Sequence, residues 1–282
     1  MLIAQISDLH FLPKGTLAFG RVDVAGCLER AIDHLNALRP RPDAVLITGD
    51  LTNDGDAAVW AELMAMLGRL EAPVYPIPGN HDDRELMRAA CARLRLFPQE
   101  GPLRFVADLG PLRLIGLDSL VPGDPAGRLG PEQLAWLDAA LKASAAPTLV
   151  ALHHPPFRTG IDHMDAMMLE DGAALAEVIG RHPQVARVLC GHVHRSVQCR
   201  FAGTLGLIAP GTAHAVQLAL AGEPSRWVTE PPGLLLHEWR AGRGLVSHFD
   251  FIGVFEVGRF GDEDAPSNKG DDVIDRLPSP PF

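Results

Sequence analysis

What constrains this chain most is a recurrence: short apolar runs are followed, one after another, by a small cluster of Asp, Asn and His. "LIAQIS" (2–7), "DAVLITG" (43–49), "VYPIPG" (74–79), "RLIGLD" (113–118), "TLVALH" (148–153) and "RVLCG" (187–191) have the length and aliphatic content of buried strands. Longer amphipathic stretches lie between them. Ala57 to Leu70 carries Trp60, Leu63, Met64 and Leu67 at helical spacing, and a further helix is expected from Pro131, with Leu134, Leu137 and Leu141 on one face. This βαβα order predicts an α/β layered fold whose strand ends share an edge. After Cys199 the pattern shifts to strand-like pieces, "TLGLIAP", "GLLLHEW" and "GLVSHFDF", expected to form a second sheet packed on the first.

Composition narrows the function classes. A chain of 282 residues with 47% hydrophobic and 21% charged residues fits one large globular domain with or without an appendage. A net charge of -10 argues against binding a nucleic-acid polymer, which rests on clustered Lys and Arg. A small anionic substrate is compatible with it, because a bound divalent ion would dominate the local field. Cys27, Cys91, Cys190 and Cys199 form no CxxC pair and read as reduced core residues of a cytoplasmic protein. The N-terminus has no basic leader, and the most apolar long window is broken by Pro210, Gly211, His214 and Gln217, so neither signal peptide nor membrane span is expected. The expected organisation is a domain over 1–252 and an acidic, Pro-containing tail over 253–282. That tail is either flexible or anchored to the body or a partner through Phe251, Phe255 and Phe260.

The clusters carry the chemistry. "ISDLH" offers Asp8 and His10, "TGDLTND" Asp50, "PGNHDD" Asn80 and His81, "ALHHPP" His153 and His154, and "CGHVHR" His192 and His194. Taken alone, "PGNHDD" is a turn built from standard turn formers. Five clusters at the C-terminal ends of expected strands, where open α/β sheets bind ligands, exceed what turn chemistry explains. In an extended segment, residues i and i+2 project to one side, so Asp8 with His10, and His192 with His194, could grip an ion. Imidazoles, carboxylates and one carboxamide without thiolates suit divalent Mn, Fe, Co or Zn. Asp50, with two oxygens, could bridge two such ions, and two metals about 4 Å apart form the clamp of many phosphoryl-transfer hydrolases.

In that order, "DLH", "GD", "GNHD", "HHPP" and "GHVH" resemble the motifs of the calcineurin-like metallophosphoesterases. More narrowly, "GNHDD", "HHPP" and "PGTAH" resemble the class III cyclic nucleotide phosphodiesterases and a related bacterial glycerophosphodiesterase, and the likeness to the glycerophosphodiesterase also takes in "LNALRPRPDAV" and "FGRVDVAG". The resemblance spans Met1 to about Phe251. It implies a four-layer αββα sandwich with a dinuclear metal site at the C-terminal ends of the strands. One metal would be held by Asp8, His10, Asp50 and His194, and the other by Asp50, Asn80, His153 and His192. His81 is implied beside the substrate phosphate as a catalytic residue together with Asp50, and His214 near the substrate with Asn80 and His81.

The implied activity is metal-dependent hydrolysis of small phosphodiesters, either 3',5'-cyclic nucleotides or glycerophosphodiesters, by a water that the metals activate. A phosphomonoesterase or a non-catalytic scaffold of the same fold is the alternative. "GDLTNDG" lacks the Arg of the protein Ser/Thr phosphatase pattern, and Tyr75, the only tyrosine, lies outside every ligand motif, against a purple acid phosphatase. The family also implies a homo-oligomer, a dimer or larger.

Several residues stay open at this stage. Asp82 could orient His81 or cap a helix near Arg84. Asp118 could be a turn former or support the site. Arg158 and Arg195 could meet phosphate or solvent, and Met164, Met167 and Met168 substrate or core. His154 is expected to be hydrogen-bonded, and His34, His182, His237 and His248 to be structural.

Overall fold

Each of the six apolar runs becomes a strand in the computed structural model, which describes residues 1–258 apart from Ala221 and Glu223. In chain order the strands are β1 (Leu2–Ile6), β2 (Ala44–Thr48), β3 (Val74–Ile77), β4 (Phe105–Asp108), β5 (Arg113–Gly116), β6 (Thr148–Ala151) and β7 (Val185–Cys190). They continue with β8 (Val197–Phe201), β9 (Thr204–Ile208), β10 (Ala215–Val216), β11 (Trp227–Val228), β12 (Gly233–Arg240) and β13 (Gly244–Phe251). Helices α1 (Val24–Ala37), α2 (Ala57–Leu67), α3 (Arg84–Ala90), α4 (Gly130–Lys142), α5 (Asp162–Asp165) and α6 (Gly172–Gly180) connect them. Helix α2 stops short of the expected Leu70, with Gly68 at its C-cap, and α4 begins at Gly130 with Pro131 in its first turn.

Two sheets form the centre, in the orders β13-β12-β1-β2-β3 and β4-β5-β6-β7-β9-β8, and β10 and β11 make a small ribbon. Strand alternation sorts the side chains into layers. Ile3, Ala44 and Leu46 meet Leu114, Leu149, Leu189 and Leu207 between the sheets. Ala4, Ile6, Val45 and Ile47 turn the other way onto Leu28, Ile32 and Leu35 of α1 and Trp60 and Leu63 of α2. Ile115, Val150 and Val188 do the same against Leu137 and Leu141 of α4 and Leu175 and Ile179 of α6. The result is helix, sheet, sheet, helix: a four-layer αββα sandwich.

The strands after Cys199 do not make a sheet of their own, contrary to expectation. β9 pairs in parallel with β7, while β12 pairs antiparallel with β1 and carries β13 outside it. Central strands buried on both faces need a hydrogen-bonded neighbour on each edge, and these late strands supply it. Cys199 also departs from the expected core placement. It is half-buried on β8, whereas Cys27, Cys91 and Cys190 are buried, and all four are free thiols. No helix among the described residues is long and apolar enough to cross a membrane. Of the tail, Phe251 and Phe255 lie 6.2 Å apart and both are exposed. Phe260 and the remainder of the 253–282 segment beyond Gly258 lie outside the described residues.

One polar chain crosses the intersheet core. The Gln5 amide donates to Thr48 Oγ1 (3.0 Å) and the Cys190 carbonyl (2.9 Å), so its oxygen accepts from His237 Nε2–H (3.1 Å). His237 Nδ1 then accepts from the Ser247 hydroxyl at 2.8 Å, which makes the ring neutral. Burial pushes this imidazole down to about 3, with Arg187 and His248 adding to it, from an ordinary value of 6.5. The neutral form is bound by the fold, so its contribution is present above about pH 6.5 and lost as pH falls toward 3, at roughly 1.4 kcal/mol per pH unit. His237→Gln is therefore expected to flatten the stability–pH curve from urea melts over about pH 6 to 4. An unchanged slope would show that other groups set it.

Candidate metal centre

The clusters emerge from the C-terminal ends of β1, β2 and β3 in one sheet and β6 and β7 in the other, so the site straddles both sheets. Every strand ends one or two residues before its apolar run does, because the backbone then turns sharply. Asp8 (φ 55°), His10 (φ 43°), Asp50 (φ 50°), His192 (φ 73°) and His194 (φ 53°) all sit in the left-handed region, which non-glycine residues seldom adopt. The Asp8/His10 and His192/His194 pairs thus converge through left-handed turns rather than as an extended segment, correcting the expected geometry. Such strain gathers at sites that the surrounding structure over-determines. Two glycines make the close approach possible: a Cβ at Gly79 would collide with the Asp50 carboxylate, and one at Gly191 with the Ser7 hydroxyl.

The turns bring all seven expected ligand residues together. Donor atoms of Asp8, His10, Asp50 and His194 lie within 4.8 Å of one another, every one buried. His10 Nε2 is 3.0 Å from His194 Nε2, and His194 Nε2 is 3.6 Å from Asp8 Oδ1. Beside this group, Asn80 Oδ1 lies 3.1 Å from His153 Nε2 and 3.0 Å from His192 Nδ1. Asp50 stands between the two. Its Oδ2 is 3.5 Å from His10 Nε2 and 3.3 Å from His153 Nε2, whereas its Oδ1 accepts the His81 backbone N–H at 2.9 Å. A single oxygen, not the two that the sequence suggested, faces both groups.

These side chains are set up as ligands. His153 Nδ1–H donates to the Thr48 carbonyl (2.7 Å) and His10 Nδ1–H to Asn53 Oδ1 (3.2 Å), which turns both Nε2 atoms into the cluster. Burial alone would raise the Asp50 carboxyl, but His153 and His10 outweigh it and hold the group well below the usual carboxylate range. Burial would lower His153, yet Asp50 and Asp8 lift it to about 9, and the same two carboxylates would favour a divalent cation there. Burial raises Asp8 to about 7. Asp8 Oδ2, His192 Nε2 and His194 Nδ1 are buried without a hydrogen-bond partner. Buried polar atoms are rarely left so; the two histidine atoms are the ring nitrogens opposite those that face the cluster, and the Asp8 carboxylate oxygen is the one that fits a bound cation.

The sequence profile of the calcineurin-like phosphoesterases matches residues 1–196. The chain belongs to that family. It is 38% identical over 259 residues to the probable glycerophosphodiester phosphodiesterase GpdQ of Arcobacter nitrofigilis, covering 91% of this chain and 95% of that one. It is 32% identical over 262 residues to the 3',5'-cyclic adenosine monophosphate phosphodiesterase CpdA of Pseudomonas aeruginosa, covering 91% and 93%. A dimetal phosphatase from Danio rerio shares the fold, with a TM-score of 0.61 at 14% identity, over 89% of this chain and 99% of that one.

Other residues of this calcineurin-like phosphoesterase sort around the cluster. The His81 ring, 36% exposed, stands at the rim with Nδ1 3.7 Å from the Asp54 carboxylate, and its centroid is 4.8 Å from that of His10. His214 packs at 4.6 Å from His194 and 5.5 Å from His10 between ring centroids, and burial lowers it to about 4. Beside His194 and His214 a cavity of about 250 Å³ runs out past Phe249 and Phe251. Arg195 borders it, with one guanidinium nitrogen bound to Glu230 (2.7 Å) and the Val216 carbonyl (2.8 Å). Arg158 is exposed, and Met164 is buried in the core under α4 and α6.

His154 touches the cluster without joining it. The Ser119 hydroxyl donates to its Nδ1 (2.8 Å) and its Nε2–H donates to the Pro125 carbonyl (3.1 Å), which occupies both nitrogens. Asp82 has neither of its expected roles. Asp83 caps α3, while Asp82 accepts from the backbone N–H groups of Leu51 (3.1 Å), Thr52 (3.0 Å) and Gly79 (2.9 Å), tying the Asp50 turn to the Asn80 turn. Asp118 is buried and holds Arg84 through two hydrogen bonds of 2.6 and 3.0 Å, a support beneath α3. Sequence reasoning missed the role of Asn53. Its signal was its place three residues beyond Asp50, inside the "GDLTND" motif.

Proposed function

We propose that this chain hydrolyses small phosphodiesters with two divalent metal ions. Asp8, His10, Asp50 and His194 would hold one, and Asp50, Asn80, His153 and His192 the other. The observation that carries this reading is Asp50 Oδ2, a single carboxylate oxygen set between His10 Nε2 and His153 Nε2, whose outer hydrogen bonds turn those nitrogens inward. The relatives' names supply the substrate class: 3',5'-cyclic nucleotides and glycerophosphodiesters. Mn, Fe, Zn or Co suits the donor set.

When bound, such ions lower the pKa of a water and neutralise the phosphate oxygens. The remaining work falls to the chain. Asn80 binds as a neutral oxygen donor, which limits negative charge where the phosphate must approach. His81, at the open rim, donates a hydrogen bond to the phosphate or a proton to the leaving alkoxide. His214, largely neutral at pH 7 because of its burial, faces the substrate from the side of His194. Water is the nucleophile, because the side chains that could replace it are tied up. The Ser7 hydroxyl donates to the Thr48 carbonyl (3.2 Å), and burial keeps the Cys190 thiol well above its ordinary value.

Chelation and reloading test the reading. Protein stripped with a chelator is expected to hydrolyse neither cyclic AMP nor glycerophosphoethanolamine, and manganese to restore turnover of at least one. Manganese should also raise Tm, because an ion that binds only the folded state stabilises it. Turnover unaffected by chelation would overturn the metal requirement, and an inert protein whose Tm ignores metal would favour a scaffold.

A further inference from the structure

Beyond His214, on the side of the α1 approach, two aromatic rings are held in the open. Phe19 and Trp227 stack with centroids 5.0 Å apart and planes 10° apart, and Phe19 meets His214 edge-on at 5.1 Å. Even with these contacts Phe19 is 55% and Trp227 37% exposed. Phe19 adopts φ 53°, an outlier for a bulky residue and the same left-handed strain seen at the ligand turns.

The fold places this pair with care. Ala18 and Val22 close the tight turn that carries Phe19, with hydrogen bonds between their backbones. Ala18, Val22, Val24 and Cys27 pack on Ala213 in a small core of their own, which roots the turn beside His214. Trp227 comes from the opposite direction. It pairs with Val216 in the β10–β11 ribbon, two residues past His214. Two segments distant in sequence thus meet beside one histidine at the cluster's edge and leave both rings partly exposed.

We propose that the Phe19–Trp227 stack is a platform for a nucleobase, so that a cyclic nucleotide binds with its phosphate at the cluster and its base on these rings. This rests on the phosphodiesterase reading and assigns the selectivity of that site. Rings stacked face to face leave only an outer face of the stack to a ligand, and a planar base suits that face as a further layer; an ammonium group is better served by rings set at angles around it. The Glu230 carboxylate, two residues beyond β11, is already bound to Arg195. A glycerol or ethanolamine arm offers no plane to stack, so the platform biases the enzyme toward cyclic nucleotides.

The test compares manganese-loaded wild type, Phe19→Ala, Trp227→Ala and Trp227→Phe on cyclic AMP and glycerophosphoethanolamine. Stacking on an aromatic ring predicts about a tenfold or greater loss of kcat/KM on cyclic AMP for each alanine variant, most of it in KM. The loss on glycerophosphoethanolamine should stay within about twofold, and Trp227→Phe should keep most of the cyclic AMP activity. Equal losses on both diesters, or none on cyclic AMP, would overturn the platform. Tryptophan fluorescence decides independently of turnover. AMP, but not ribose 5-phosphate, should quench the wild type, with the quenched signal absent in Trp227→Phe and the affinity for AMP weakened in Phe19→Ala. If the wild type hydrolyses neither diester, the phosphodiesterase reading fails. The titration then judges the platform alone, with selective quenching supporting it and its absence overturning it.

Discussion

Asp50→Ala is expected to lower kcat/KM on any accepted phosphodiester by about 10³-fold or more while leaving the far-UV circular dichroism unchanged. The size follows from position. Asp50 Oδ2 is the shared oxygen, 3.5 Å from His10 Nε2 and 3.3 Å from His153 Nε2, so both proposed metal sites lose a ligand at once. The fold should survive, because within the backbone the side chain holds only the His81 N–H. Removing a charge that burial penalises also offsets some of the lost contact. Manganese retained after dialysis should fall in parallel, by about half or more. A variant within about tenfold of wild type would remove Asp50 from the bridging position.

Asp82→Ala is expected to cost stability first and activity second. Its carboxylate satisfies three buried backbone donors, those of Leu51, Thr52 and Gly79, and alanine would leave all three without an acceptor. At about 1–3 kcal/mol for each orphaned group, less whatever water enters, a loss of roughly 3–5 kcal/mol is expected in urea melts. Part of this is recovered because the buried carboxyl is itself costly: burial, with Asp50 nearby, raises it to about 6. The Asp50 and Asn80 turns would then be free to drift apart, and kcat/KM should drop about 10- to 100-fold, as for other groups that orient metal ligands. A melt within about 1 kcal/mol of wild type would show that the turns hold without Asp82.

The proposed ligand residues were legible in the sequence because the chemistry sits within short motifs. Asp8, His10, Asp50, Asn80, His153, His192 and His194 each follow an apolar run directly, and an apolar run of that length buried on both faces becomes a strand wherever it pairs. The strand ends therefore had to collect these groups along an edge. The helices were legible for the same reason, through the spacing of Trp60, Leu63 and Leu67 in α2 and Leu137 and Leu141 in α4. Asp82 and Asp83 were not separable, since adjacent Asp residues have the same local propensities. Only the backbone donors around them assign one to a cap and the other to a knot.

What the sequence determined by itself, then, is the set of donors and the layered α/β class. Both depend on residue type and on periods of two or 3.6 along the chain. Tertiary structure alone decided which late strands joined which sheet, that one oxygen of Asp50 faces both groups, and that Phe19 stacks on Trp227 beside His214. Those outcomes depend on which edges remained unpaired, on left-handed turns that periodicity does not encode, and on contacts between segments whose separation along the chain carries no local signal.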